Sequence, residues 1–439
     1  MGLSKKTKLI VSLALTISLT SVLTIGCNNG VSQSNNNKTQ EASNDSTLIY
    51  TKGIEQTTIY GKVKGSKENN EKTLLWQGIP YSKAPISNLR WKAPEDPEIW
   101  NNVFDATTPG NVGIQLSGSD IIGSEDCLNL DIYRPNTDET NLPVLLFIHG
   151  GNNQTGTSSE IDARKLAVNA NCIVVSINYR LGALGFNSLP ALKTGDINED
   201  SGNYTLLDIA KSLDWINENI EAFGGNPNNI TASGFSAGGR DIMAMLISPI
   251  FEGKFQKAIA FSGGMTISDP EESAQIIAKA IAPLVIEDNV KETEEDAYNW
   301  LLTDDTEVKD YLYSLFLTDT VTGFGASYPE AFNNEGAKDL SNKFTKYISN
   351  FLCNDNPNGE DLVEWNSWTS SSDGPTQLLL DADLNKAIIT MSHERTSYES
   401  ILNEIENDHS ITDEDKNTIV KEVLNGRWFS SRLDSYFNN

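Results

Sequence analysis

Gly234-Phe235-Ser236-Ala237-Gly238 is the stretch of this sequence best suited to covalent chemistry. The run Ile230–Ser233 before it reads as a β-strand, and Arg240–Ser248 after it reads as a helix. A serine in a tight strand-to-helix turn lifts its hydroxyl clear of a sheet, and flanking glycines leave room for the turn. Such a hydroxyl attacks an acyl carbon only when a base takes its proton. The chain has three histidines, His149, His393 and His409. None sits where that base is expected. The residues therefore imply acyl transfer at Ser236 with the proton acceptor unaccounted for.

The elements that must position Ser236 follow from hydrophobic patterning. Pro143–Ile148 and Cys172–Ile177 are continuous apolar runs of strand length, suited to a buried, largely parallel sheet. Leu206–Ala222 has helical spacing and stops at Gly224-Gly225. Lys257–Phe261 is the next strand. Strand, helix, strand at this spacing predicts βαβ units, hence an α/β fold with a mostly parallel central sheet flanked by helices. Thr58–Val63 and Thr73–Trp76 read as paired strands joined by a polar turn, and Asp131–Tyr133 as a short strand. After Phe261 the character changes. Glu271–Pro283, Lys291–Leu302 and Lys338–Leu352 read as helices, and Gln377–Leu380 with Lys386–Met391 as a hairpin around Asp383–Asn385. No long apolar strand lies between Phe261 and Gln377, so the sheet is expected to be truncated after Phe261.

The chain has 439 residues, 38% hydrophobic content and a formal net charge of −27. That acidity argues against nucleic acid or an anionic membrane surface as partner. The N-terminus carries a different signal. Lys5, Lys6 and Lys8 precede the apolar run Leu9–Ile25, which ends in Leu23-Thr-Ile-Gly26-Cys27. This reads as a secretory signal over 1–26, and Cys27 after Gly26 resembles a bacterial lipobox cysteine that would be acylated. Residues 27–48 are polar and read as a flexible tether, with the folded domain over 49–439. The expected place is outside the cytoplasmic membrane, held there by lipid on Cys27, at the cell surface or in the periplasm. Cys127, Cys172 and Cys353 are odd in number and imply no complete disulfide framework. No Cys/His cluster has metal-ligand spacing, and no cofactor is implied.

An ordered set of motifs resembles the type-B carboxylesterases, the family of para-nitrobenzyl esterases, liver carboxylesterases and cholinesterases. The set includes Gly78–Pro85, Leu89–Pro94, Trp100–Ala106, Ser124–Leu130, His149-Gly-Gly151, Asn178–Gly182, Phe223–Pro227, the serine turn and Phe261-Ser-Gly263. It spans residues 53–265. Tyr347–Phe351, Asn356–Gly359 and Trp365 look like the family's C-terminal helix and loop. The resemblance implies an α/β-hydrolase fold, no cofactor and a small neutral ester as substrate.

Residue by residue, the resemblance implies that Ser236 is the nucleophile. The backbone N–H groups of Gly151, Asn152 and Ala237 would form the oxyanion hole. His149 would shape that loop and would not be the base. Triad order in this fold is Ser, then Asp or Glu, then His. Here about eighty residues separate Gly263 from Tyr347, fewer than the family uses (a length argument). The family's His-Gly-x-x-x-Pro stretch is absent; its nearest echo, Gly323–Phe332, holds no His. The joint of an internal deletion falls near Tyr311–Leu317. His393 is the candidate for a rescuing base, set against the reading of a surface histidine; His409 reads as a loop residue. Glu287 and Asp288 are the carboxylates nearest the missing acid, in a solvated acidic run. The expected function is a carboxylic-ester hydrolase with an acyl-enzyme on Ser236, impaired by loss of acid and base. The alternative is a non-catalytic, surface-tethered lipoprotein that binds a ligand or partner in the old cleft.

Overall fold

The computed structural model describes residues 48–419, apart from 69–71, 118–119, 265–267, 316–334, 368, 370–373, 383–384 and 394–397. Cys27, the leader and nearly all of the tether lie outside the described residues, as does Gly323–Phe332.

Seven strands form the central sheet. They are β1 (Ser66–Lys67), β2 (Thr73–Pro80), β3 (Asn129–Pro135), β4 (Leu142–Ile148), β5 (Ile173–Ile177), β6 (Gly225–Phe235) and β7 (Lys257–Phe261). The order across the sheet is β7-β6-β4-β5-β3-β2-β1. The strands β7, β6, β4 and β5 run parallel, while β3, β2 and β1 pair antiparallel. The sheet is thus mixed, and its parallel half is the half that leads to Ser236. Among the described residues β7 is the edge, and all five of its residues are half-buried.

The helices are α1 (Ala163–Ala170), α2 (Tyr204–Asn219), α3 (Ala237–Met245), α4 (Pro270–Glu287), α5 (Glu294–Leu301), α6 (Thr306–Ser314) and α7 (Glu335–Asn354), besides shorter turns and two late helices. Alternation along β4 assigns the two layers. Val144, Leu146 and Ile148 share a core with Ile209, Leu213 and Ile216 of α2 and Ile242 and Met245 of α3. Leu145 faces the other way, into a core with Ala163, Ala167 and Ala170 of α1 and Ile348 and Leu352 of α7. A sheet covered on both faces explains why β4 and β5 are apolar but for Ser176.

Helices follow β7 where the sheet stops. Asp269, Thr293 and Asp305 cap α4, α5 and α6, each accepting from first-turn N–H groups. Ala278 and Ile281 of α4, Leu301 of α5 and Leu312 of α6 pack with Trp91 and Leu184 in a second core. Arg90 donates to the carbonyls of Leu312, Tyr313 and Leu315. The described part of the expected joint, Tyr311–Leu315, is therefore the anchored end of α6.

One strand reading is corrected. Thr58–Val63 is not one strand paired with Thr73–Trp76. Glu55–Thr58 and Gly61–Lys64 form their own hairpin, and β2 pairs with β3 and β1. The Thr58 hydroxyl closes the turn, donating to Gly61 O and accepting from Tyr60 N–H. The late hairpin is present as β8 (Gln377–Ala382) and β9 (Ala387–Ser392), which pack on α7. Among the described residues no helix is long and apolar enough to cross a membrane.

Candidate active site

Strand register does the positioning. Gly234 of β6 pairs with Ile148 of β4, and Ile148 pairs with Ile177 of β5. The residues just beyond, around Ser236, His149 and Asn178, emerge together at the carboxyl ends of the parallel strands. Open α/β sheets present their sites there.

Ser236 has φ 55° and ψ −112°, a conformation that non-glycine residues rarely adopt. Its N–H donates to Phe261 O at 2.8 Å, and its carbonyl accepts from Arg240 N–H at 3.0 Å. The glycines around it are steric necessities. A Cβ on Gly234 would lie 2.3 Å from the backbone of Gly238, and one on Gly238 would lie 2.2 Å from Ile148 O. Ser236 is half-buried while Phe235 is 44% exposed. No hydrogen bond reaches Ser236 Oγ among the described residues. Ala237 opens α3, so its N–H has no partner within the helix.

The loop after β4 lies against this turn. A Cβ on Gly150 would be 3.2 Å from Ser236 Cβ. Gly151, Asn152 and Asn153 have φ of 90°, 58° and 57°. Three successive residues are thus left-handed, a conformation that glycine and asparagine tolerate best. The carbonyl of Gly151 accepts from Gln154 and Thr155 N–H, both at 3.0 Å. Gly150 N–H donates to Glu160 Oε2 at 2.9 Å. Among the described residues no acceptor takes the N–H groups of Gly151 and Asn152, so they stay available beside Ser236.

His149 is buried under this loop, its ring stacked on Tyr179 at 4.2 Å between centroids. Tyr179 Oη donates to His149 O at 2.7 Å. Burial pushes the imidazole down to about 4, so it is neutral at ordinary pH. His393 is exposed at the end of β9, and His409 is exposed in a turn. Neither ring is hydrogen-bonded to Ser236 among the described residues. Glu287 and Asp288 are exposed at the end of α4, where Asp288 accepts from Tyr311 Oη at 2.9 Å. The site thus gathers Ser236, Gly151, Asn152 and Ala237 and leaves the candidate acid and base residues elsewhere. Among the described residues no group of side chains could hold a metal ion.

Sequence reasoning passed over Arg240, Asp241 and Asn153. Arg240 Nη2 donates to Asn152 Oδ1 at 2.9 Å, and Asn153 Nδ2 donates to Asp241 Oδ1 at 3.0 Å. Asp241 is 4% exposed, and no hydrogen bond reaches its Oδ2. Burial raises its carboxyl to about 7, against the opposing pull of Asn153 and Arg240. The one available signal was a charged pair in the first turns of an otherwise small and apolar helix.

This layering, with a serine turn after the parallel strand β6 and a helix directly behind it, defines the α/β-hydrolase class. The model of the Carboxylesterase family matches residues 52–307, more than half of the sequence, and the chain belongs to that family. Para-nitrobenzyl esterase of Bacillus subtilis (strain 168) is 45% identical over 242 residues, 52% of this chain and 48% of that protein. Acylcarnitine hydrolase of Rattus norvegicus is 39% identical over 250 residues, 52% of this chain and 44% of that protein. The chain spans about half the length of these curated relatives. A solved structure of PNB esterase is 41% identical, covering 60% of this chain and 54% of that one, at a TM-score of 0.49.

Proposed function

We propose that this chain is a carboxylic-ester hydrolase by descent, with an acyl-enzyme on Ser236 and turnover impaired by the missing acid and base. One observation carries the reading: a serine at φ 55° lies beside a left-handed loop, so close that a Cβ on Gly150 would be 3.2 Å from its own Cβ. In the reaction, Ser236 Oγ adds to the ester carbonyl carbon while the carbonyl oxygen takes the negative charge. The N–H groups of Gly151, Asn152 and Ala237 donate to that oxygen, and the first turn of α3 adds its dipole. Collapse expels the alcohol, and water then releases the acid from Ser236. Without an imidazole the serine proton must pass to solvent, which slows acylation by several orders of magnitude. The oxyanion groups still leave some rate above water.

A second reading has its own support: neither His393 nor His409 is bonded to Ser236 among the described residues. It is a non-catalytic protein that binds a ligand in the former ester cleft, tethered outside the cell membrane by lipid on Cys27. The basic and apolar leader and the Gly26-Cys27 step support the tether. Intact mass of the mature N-terminus tests it, and an unmodified Cys27 in membrane extracts rules it out.

The test of the hydrolase reading is slow hydrolysis of an activated aryl ester by the full chain and by Ser236→Ala. The proposal expects a weak rate that Ser236→Ala removes. Equal rates in the two proteins contradict it.

A further inference from the structure

We infer that Asp241, with Arg240 beside it, is the positioning residue of the oxyanion loop: the two side chains latch Asn152 and Asn153 of that loop onto helix α3. The inference rests on the hydrolase reading for its purpose but not for its geometry.

Two consecutive residues of α3 reach two consecutive residues of the loop. Arg240 Nη2 holds Asn152 Oδ1 at 2.9 Å, and Asp241 Oδ1 accepts from Asn153 Nδ2 at 3.0 Å. Both asparagines are left-handed, at φ 58° and 57°, in a turn whose own backbone bonds run to Gly151 O and do not tie it to α3. The latch fixes the turn to the same helix that begins at the nucleophile. Shifts in α3 are thereby carried to the loop, and Ser236 and its N–H groups keep their spacing. Tyr179 Oη completes the network, donating to His149 O at 2.7 Å and reaching Asn153 Oδ1 at 3.4 Å.

Asp241 is nine-tenths buried, and one of its oxygens has no partner. A carboxyl group so placed is expensive for the folded protein to ionise. Its cost is justified when the ionised form does something an amide cannot. Ionised, it makes a charge-assisted bond to Asn153 and attracts Arg240. Protonated, it keeps a weaker bond. While the carboxyl stays buried, the bond from Asn153 favours its ionised form, so the latch tightens as Asp241 loses its proton near neutral pH, even though ionisation costs the folded state as a whole. The groups facing it from neighbouring elements do not mimic this change. Burial holds His149 neutral above about 4 and keeps the Tyr179 phenol well above its ordinary value. Glu160, from the loop, is engaged with Gly150 N–H. Strand β6 has no charged side chain, and Lys257 of β7 bonds to Asn229, Asp355 and the end of α7.

The experiment is hydrogen–deuterium exchange of the peptide covering 149–156, corrected for intrinsic rate, on the full chain below and above neutral pH. The wild type is expected to gain protection as pH rises through about 7. Asp241→Asn keeps an acceptor for Asn153 and is expected to hold one level of protection at both pH values. Asp241→Leu and Asn153→Leu, checked for a cooperative thermal transition, are expected to lose protection severalfold. The same pH response in Asp241→Asn overturns the inference, as does unchanged protection in both leucine variants. If either leucine variant fails to fold, the Asp241→Asn comparison decides alone. Exchange reads the loop whether or not Ser236 reacts. Fluorophosphonate labelling of Ser236, run alongside, reads the hydrolase proposal, so each can fail separately.

Discussion

At the scale of single residues, the turn at Ser236 depends on two positions where a side chain has no room, Gly234 and Gly238. Gly234, Ser236 and Gly238 announce their turn because its strain is set by the residues themselves. Gly238→Ala drives a Cβ to 2.2 Å from Ile148 O, so it is expected to cost about 1–3 kcal/mol or more in urea unfolding. The Asp241–Asn153 contact was not legible, since its partners are 88 residues apart and meet only through the register of β4 and β6. Its pH consequence has a definite sign. Asp241 has a folded value raised from 3.8 to about 7, so the folded state keeps a proton that the unfolded state has lost. Stability from this group is full below about 4 and falls as pH rises toward about 7. His149 runs the other way, its value lowered from 6.5 to about 4, so its contribution falls as pH drops through that window. The two slopes oppose each other in the wild type. Asp241→Asn removes the first alone. Relative to wild type its stability is expected to rise between pH about 4 and about 7, by roughly 1.4 kcal/mol per pH unit. Denaturant unfolding across that range checks it, and a constant difference contradicts it.

At the scale of elements, continuous apolar runs identified β4 and β5 because both faces of the sheet are covered there, while β6 and β7 were read from the order strand, serine turn, helix, strand. The N-terminal hairpin escaped because its turn at Ile59-Tyr60 carries no Asn-Gly signal; a threonine side chain closes it instead. The segment after β5 is tied to α2 by Arg180 and Asp208, fully buried and paired through two nitrogens at 2.9 and 2.6 Å. Asp208→Ala strands the guanidinium in the core and is expected to cost about 3–5 kcal/mol in urea unfolding. A loss below about 1 kcal/mol would mean the pair is open to water in solution.

At the scale of the whole molecule, the fold class was legible in the sequence, and the serine turn and the loop after β4 lie together at the carboxyl ends of the parallel strands. An acid and a base were harder to read, because in this fold they come from segments distant in sequence; among the described residues neither His393 nor His409 is hydrogen-bonded to Ser236. The formal charge of −27 adds self-repulsion that salt screens. The melting temperature is therefore expected to rise with sodium chloride concentration, and a flat or falling dependence contradicts that view. The central claim is a competent serine and oxyanion loop without a base. Fluorophosphonate labelling of the full chain, read by intact mass and peptide mapping, tests it most directly. The account predicts one adduct, on Ser236, formed slowly and absent in Ser236→Ala; folded protein that takes no adduct on Ser236 contradicts it.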